Sequence, residues 1–416
     1  MNIYDTLMLS SLICIWFLLL LNVLLITGGY LYYLESNRYL PPPLEDCPMV
    51  SILVPAHNEA VVITRTVQSL LEFDYPNDRY EIIVINDNSS DDSARLLAEI
   101  QGRHPGRKLK IINTDSKTGG KGKSNALNIG FQACVGTYVV IYDADNTPEK
   151  NALRLLVSEI EANSHLGAVI GKFRTRNKNA TLLTRFINIE TLAFQWMAQA
   201  GRWKLMKLCT IPGTNFIIRR EIIEQIGGWD KDAIAEDTEI SFRIYLLGYY
   251  IKFLPQAVTW EQEPQTLKVW FKQRTRWVKG NIYVLIKNLP MLFDPRAGQV
   301  RFDILYFLST YFFLLTALVI SDSLLLLNAS GLVHTTLASF STLLWLLAIL
   351  LFVLGTFVTV TTEKGEMSLS NAFIISLMYF TYAKLWMVVA IYGLLEYIRD
   401  RVLRKETTWY KTQRFE

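Results

Sequence analysis

Two aspartates separated by one residue close an apolar run in TYVVIYDADN, and that spacing is the first sign of chemistry in the chain. Asp143 and Asp145 can reach one hard cation together through oxygen ligands, and Mg2+ or Mn2+ held this way keeps open positions for substrate phosphates. Aspartates also build ordinary turns, so the pair alone fits either role; its place at a strand end favours the chemical one. The stretch KTGGKGKSNALNIG (117–130) supplies glycines that let backbone approach an anion, with Lys121 or Lys123 to neutralise it where a helix begins. Its spacing is not that of a Walker A loop, which argues against a nucleotide hydrolase. In IAEDTEISF, Glu236, Asp237 and Glu239 fall in a first helical turn, where acids complement the helix dipole. One of them can equally take a proton from an attacking hydroxyl.

Farther along, WFKQRTRWVKGN (270–281) mixes aromatic and basic residues. Helical spacing puts Trp270, Arg274 and Trp277 on one face with Gln273 beside them. Such a helix suits a membrane surface, and whether it also belongs to an active site is open at this point. Residues 181–207, with Phe186, Phe194, Trp196 and Trp203 among Arg185, Arg202 and Lys204, read as a second interfacial helix.

The elements that must position these residues follow from periodicity. VSILV (50–54), EIIVIND (81–87), KLKIINT (108–114) and TYVVIYDAD (137–145) read as buried strands, alternating with helical patterns over 59–71, 93–101 and 123–134. That alternation predicts an α/β fold with a mostly parallel sheet covered on both faces. Ligands bind such sheets at the carboxyl ends of the strands, which is where His57-Asn58-Glu59, Asp87 and Asp143-Ala144-Asp145 fall.

The 416 residues are 51% hydrophobic and 19% charged. Globular chains carry about 25% charged residues, so a membrane component is expected. The net charge of +4 does not indicate a nucleic-acid binder. Cys14, Cys47, Cys134 and Cys209 are scattered without metal-ligand spacing and read as buried thiols of a reducing compartment. Apolar runs at 7–34, 305–327, 337–360 and 372–395 are each long enough to span a bilayer. The division expected is therefore an N-terminal anchor (1–35), a polar catalytic domain (36–260), interfacial helices (261–300), about three further spans (301–398) and a basic tail (399–416). Positive residues around the polar region place it in the cytoplasm. Four spans would then put the basic tail RDRVLRKETTWYKTQR outside, against the positive-inside expectation; either one run is not a span, or the tail departs from the rule.

Read in order, SILVPAHNEA, INDNSSDD, GKSNALN, YDADN, PGTNFIIRR, AEDTE and QRTRW resemble the successive motifs of membrane-bound processive family-2 glycosyltransferases, the group of cellulose, chitin and hyaluronan synthases. The layout of spans is most similar to bacterial poly-N-acetylglucosamine synthases. The resemblance covers about residues 50–280 and implies a GT-A fold, a nucleotide-activated sugar donor, usually UDP-linked, and a divalent cation, Mg2+ or Mn2+. It implies Asp87 at the uracil, with Pro55, His57 and Glu59 lining the base and ribose site. It also implies Lys123 near the diphosphate, and Asp143 and Asp145 at nucleotide and metal. Asp237 becomes the general base beside Glu236, with Gly213 at the acceptor pocket. Gln273, Arg274, Arg276 and Trp277 match the Gln-x-x-Arg-Trp signature for diphosphate and acceptor sugar. The sequence departs from the family at Ala235, where threonine is usual, and at Pro212-Gly213-Thr214.

The resemblance thus implies an inverting enzyme of a bacterial inner membrane that extends a β-linked polysaccharide from a UDP-sugar, UDP-N-acetylglucosamine favoured, and passes it across the bilayer. Accessory membrane or secretion subunits are compatible with it. A β-glucan synthase using UDP-glucose, a non-processive lipid glycosyltransferase, and a nucleotide-sugar-binding scaffold or transporter are the alternatives.

Overall fold

The N-terminal apolar run forms one helix, α1 (Ile3–Ser36), opened by a reciprocal cap between Asn2 and Asp5. This computed structural model describes residues 2–336, 338–403 and 414. The expected alternation follows as β1 (Val50–Ala56), α2 (Ile63–Leu71), β2 (Tyr80–Asn86), α3 (Ser93–Arg103), β3 (Leu109–Asn113), α4 (Lys123–Phe131) and β4 (Tyr138–Ile141). These strands pair wholly in parallel, in the order β3-β2-β1-β4. The Val, Ile and Leu residues of β1, β2 and β4 are buried on both faces, as helices covering a parallel sheet require, while Ile111 and Ile112 of the edge strand β3 are half-buried. Helix α2 begins four residues after the expected start at Glu59, because Asn58 takes a positive φ of 53° and residues 57–62 turn at the end of β1.

The second half is mixed. It comprises β5 (Thr147–Pro148), α5 (Ala152–Glu161), β6 (Leu166–Thr175), α6 (Leu182–Ala193), a π-helical segment (Phe194–Gly201), α7 (Arg202–Met206), β7 (Phe216–Arg219), α8 (Arg220–Ile226), α9 (Glu236–Leu246) and β8 (Tyr250–Glu261). Strand β7 lies antiparallel between β4 and β6, while β6 and β8 are parallel. One sheet of order β3-β2-β1-β4-β7-β6-β8-β5 results among the described residues.

Beyond it come α10 (Leu267–Asn288), α11 (Val300–Leu308), which continues through a π-helical turn into α12 (Leu315–Ala329), then α13 (Ala338–Thr361), α14 (Leu369–Phe380) and α15 (Tyr382–Val402). Four stretches among the described residues are long and apolar enough to cross a membrane: Ile3–Ser36, Val300–Ala329, Thr342–Thr361 and Leu369–Val402. The last is interrupted at Thr381, whose φ of −120° and ψ of −74° leave the helical region. Its start meets the polar domain and its end meets α10. Glu366, just before α14, pairs with Arg174 of β6 at 3.1 Å and accepts from Asn188 of α6. Near the end of α15, Glu396 lies 3.7 Å from Lys279 of α10, and Asp400 pairs with the same ammonium. Residues 404–413, 415 and 416 of the expected tail lie outside the described residues.

The stretch 181–207 is not the surface helix its composition suggests. Phe186, Trp196 and Trp203 are buried, and the fully buried Arg202 pairs with Asp303 of α11. Helix α1 packs on the π-helical segment so closely that a Cβ at Gly29 would lie 1.8 Å from the Trp196 carbonyl oxygen. Helix α1, through Tyr32, and the sheet thus share one interior.

Candidate active site

The carboxyl ends of β1, β2 and β4 and the starts of α4 and α9 open on a cavity of about 370 Å³, closed from the other side by α10. Every residue to which the resemblance assigns a role lines it: Pro55, His57, Glu59, Asp87, Lys123, Asp143, Asp145, Gly213, Glu236, Asp237, Gln273, Arg274, Arg276 and Trp277; Lys121 and Glu239, which the motifs also offered, are not in its wall.

At one end, Asp87 is held rigidly. Its Oδ1 accepts from the Thr114 hydroxyl at 2.8 Å and the Gly120 N–H at 2.9 Å. The His57 ring Nδ1 lies 2.6 Å from the Asp87 carbonyl oxygen, so β1 and β2 present one edge together.

In the middle, Lys123 at the first turn of α4 ties three distant motifs. Its ammonium lies 2.7 Å from Asp143 and 3.3 Å from Glu236, and donates to the Gly213 carbonyl at 2.8 Å. Burial opposes its charge, but Asp143 and Glu236 outweigh it and raise its pKa. Asp237, beside Glu236 at the start of α9, is shifted the other way from an ordinary carboxylate. Burial and the Glu236 charge push its pKa up to about 7, against the pull of Lys123. Its Oδ1 accepts from the Thr238 N–H at 2.7 Å, and its Oδ2 faces Gly213. Gly213 has a φ of 88°, which favours glycine.

The two arginines of α10 divide. The Arg274 Nη1 donates to Gln273 at 2.9 Å and its Nη2 to Glu190 of α6 at 2.7 Å, while its guanidinium stacks 3.9 Å from the Trp277 ring centroid. The Arg276 Nε has no hydrogen-bond partner among the described residues. Burial lowers the Arg276 pKa, with Glu236, Asp237 and Asp143 acting to keep the charge. A buried donor left without a partner costs free energy unless a ligand meets it. An anion in the cavity would meet it, beside a carboxylate able to take a proton.

Residues 48–280 match the family described as "Glycosyltransferase like family 2". The chain belongs to glycosyltransferase family 2. It is 47% identical over 414 residues to the "Probable glycosyltransferase YdaM" of Bacillus subtilis, covering 99% of this chain and 98% of that one. It is 32% identical over 239 residues to the "Poly-beta-1,6-N-acetyl-D-glucosamine synthase" of Staphylococcus epidermidis, covering 58% of this chain and 56% of that relative's length. The mannosyltransferase PcManGT of Pyrobaculum calidifontis, solved with GDP-Man and Mn2+, superposes with a TM-score of 0.62 at 21% identity, covering 93% of this chain and 100% of that one. The fold is GT-A, and the enzyme is a glycosyltransferase.

Two departures from the family pattern have local physical reasons in this glycosyltransferase. A Cβ at Gly280 of α10 would lie 2.8 Å from the Ala235 Cβ, so a small side chain at 235 lets α10 approach the start of α9. In Pro212-Gly213-Thr214, the Thr214 hydroxyl accepts from the Asp143 N–H at 3.0 Å and donates to Asn146, fixing the Asp-x-Asp turn.

Other lining residues escaped the sequence reading: Glu190, Glu261, Glu263, Trp386 and Arg414. Burial and neighbouring carboxylates raise the Glu261 pKa. Burial likewise raises Glu263 to about 7, opposed by Arg274. The Arg414 guanidinium lies 2.8 Å from Asp145 and 3.7 Å from Glu59.

Asp143 and Asp145 fit a divalent cation. Both face the cavity, and the buried Asp145 carboxylate already carries a stand-in positive charge in Arg414. Among the described residues no group of three or more His, Cys, Asp and Glu side chains could hold a metal ion. Two carboxylates that leave positions for donor phosphates and water are the usual arrangement for Mg2+.

Proposed function

We propose that this glycosyltransferase moves a sugar, N-acetylglucosamine, from a UDP donor to a hydroxyl of a growing β-linked polysaccharide, inverting the anomeric carbon. The observation that carries this reading is one cavity running from Asp87, past Asp237 and Arg276, to Trp277, Phe307 and Trp386 on the membrane-associated helices. The likeness to a relative named poly-N-acetylglucosamine synthase supports the choice of sugar.

Donor binding begins at the base, with Asp87, Pro55, His57 and Glu59 around uracil and ribose. The diphosphate reaches Arg276, whose planar fork suits phosphate oxygens, and the Lys123 ammonium. A divalent cation held by Asp143 and Asp145 would neutralise charge on the same diphosphate. The acceptor oxygen attacks the anomeric carbon while its proton passes to Asp237. The bond from that carbon to the diphosphate oxygen breaks, and the electron pair leaves with UDP. A carboxylate with a pKa near 7 is matched to this task near neutral pH. Arg276 and Lys123 meet the charge that develops on the departing diphosphate. Trp277 offers the acceptor ring an apolar face, and Gln273, Glu236 and the backbone at Gly213 border it.

The catalytic domain is read as cytoplasmic, with α1, α11–α12 and α13 crossing the bilayer. Helices α14 and α15 enter and return, because the start of that run contacts β6 of the catalytic domain and its end contacts α10, which closes the cavity. Arg414 in the cavity supports a tail on the same side, in keeping with its basic composition.

The test offers purified protein in lipid nanodiscs UDP-N-acetylglucosamine or UDP-glucose, with Mg2+ or Mn2+. The expected result is UDP release and polymer from the first donor only. Polymer from UDP-glucose would replace the sugar, single-sugar products would remove processivity, and no UDP release from any donor would remove the reading.

A further inference from the structure

A second cavity, of about 200 Å³, shares no lining residue with the first. It lies where the loop between α13 and α14 meets the start of α6, and Lys178, Arg185, Asn188, Glu366, Ser368 and Asn371 face it. The Arg185 Nη2 donates to the Ser370 hydroxyl and to Asn371 Oδ1, each at 2.9 Å. Both acceptors are neutral, and among the described residues Arg185 has no acidic partner and nothing accepts from its Nε or Nη1. Lys178 pairs with Glu366 at 2.5 Å, but Arg174 shares that carboxylate at 3.1 Å, as do the amides of Asn188 and Asn371. Lys172 and Arg174 take up Glu363. In this network Lys172, Arg174, Lys178 and Arg185 thus meet Glu363 and Glu366, and Lys364 adds an exposed ammonium in the same loop. The excess charge is positive. Helices α6 and α14 both begin beside the cavity, where their dipoles favour an anion.

The cavity also lies at a membrane boundary. One apolar stretch ends at Thr361 and the next begins at Leu369, so residues 362–368 join two spans. Leu369 is 92% exposed and Phe373 71%, four residues apart on one face of α14. Side chains so apolar and so exposed suit acyl chains, and they stand directly beside the cations. A free anion would need the cations alone; the apolar face next to them points to an amphiphile.

We propose that this cavity binds the phosphodiester headgroup of an anionic glycerophospholipid, with Arg185 and Lys178 on the phosphate and an acyl chain along Leu369 and Phe373. The Nε and Nη1 hydrogens of Arg185 supply donors to the phosphate oxygens. Basic pockets beside spans on the anionic face of a bilayer select such headgroups. A lipid bound here bridges the α13–α14 loop to α6 of the catalytic domain. The inference rests on α13 and α14 being embedded in the membrane, and not on the donor or the acceptor.

The experiment uses the full-length protein, delipidated in a neutral maltoside detergent and titrated with phosphatidylglycerol, phosphatidylcholine or inorganic phosphate. Native mass spectrometry and the rise in melting temperature read the binding. Wild type is expected to take up phosphatidylglycerol at least about tenfold more tightly than phosphatidylcholine, as two cations on a charged headgroup imply. Arg185→Gln and Lys178→Gln should each weaken phosphatidylglycerol at least about fivefold, with phosphatidylcholine and UDP affinity unchanged. Lys110→Gln, at an exposed cation of the edge strand β3, should change none of these. If one of the two cavity variants fails to fold, the other still decides. Equal affinity for the two lipids in wild type overturns the site, as does unchanged phosphatidylglycerol affinity in the variants. Displacement of the lipid by inorganic phosphate at comparable concentration would make this a site for a free anion and overturn the lipid assignment. Lipid selectivity as described, with no UDP release from any donor, removes the transferase reading and leaves the site. UDP release without lipid selectivity does the reverse.

Discussion

No side chain fits between Gly213 and Asp237: a Cβ on the glycine would stand 2.8 Å from the carboxylate Oδ2. The loop at Gly213 and the start of α9 are thus held in van der Waals contact, and Lys123 binds the Gly213 carbonyl from the other side. Gly213→Ala is expected to displace the carboxylate and strain a backbone at φ 88°. Because small misplacements of a catalytic group are costly, kcat should fall on the order of 10²-fold. UDP affinity should hold, and steady-state kinetics beside UDP calorimetry check both.

The division of labour between the two arginines has its own signature. Arg276→Ala removes a buried Nε donor with no partner among the described residues, so it should lower kcat on the order of 10²- to 10³-fold and weaken UDP binding. Arg274→Ala leaves Glu190 without its cation and Trp277 without its stack, so its main effect should fall on acceptor KM. The KM values for donor and acceptor, measured separately, distinguish the two.

Arg414 lies on the carboxylate proposed to hold the cation. Its removal deletes a competing positive charge, so Arg414→Ala should bind Mn2+ several-fold more tightly in the absence of donor. Manganese titration by electron paramagnetic resonance reads this directly, without turnover.

The sidedness of the tail is equally checkable. With α14 and α15 entering and returning, a cysteine replacing Glu416 should react with a membrane-impermeant maleimide only when the cytoplasmic face is open. One replacing His334, in the turn between α12 and α13, should react from the opposite face. Cys14 and Cys47 are partly accessible, so the labelling is done in a chain with the native cysteines replaced.

The first half of the sheet and the core of the site were legible because each strand carries its own apolar run and ends in its own polar residues. Local pattern is enough for that, and it placed Asp87, Asp143 and Asp145 at strand ends. The antiparallel insertion of β7 was not legible, since neighbour order in a sheet depends on pairing between distant segments. The same holds for Glu190 and Trp386, which meet across 196 residues, and for Arg414, which reaches Asp145 from the opposite end of the chain. The segment around Trp196 misled for another reason: aromatic and basic residues look alike whether they face lipid headgroups or, like Arg202 with Asp303, a buried partner.

The role of Asp237 as acceptor of the hydroxyl proton is read from one comparison. The rate of UDP release and the affinity for UDP are measured across pH in wild type and Asp237→Asn. Because the base works deprotonated and its pKa is raised to about 7, the wild-type rate should climb with pH through about 7 and then level. The asparagine variant should bind UDP normally, turn over on the order of 10²- to 10⁴-fold more slowly, and lose that limb. A variant that releases UDP at the wild-type rate, or keeps the same limb, would remove Asp237 as the base.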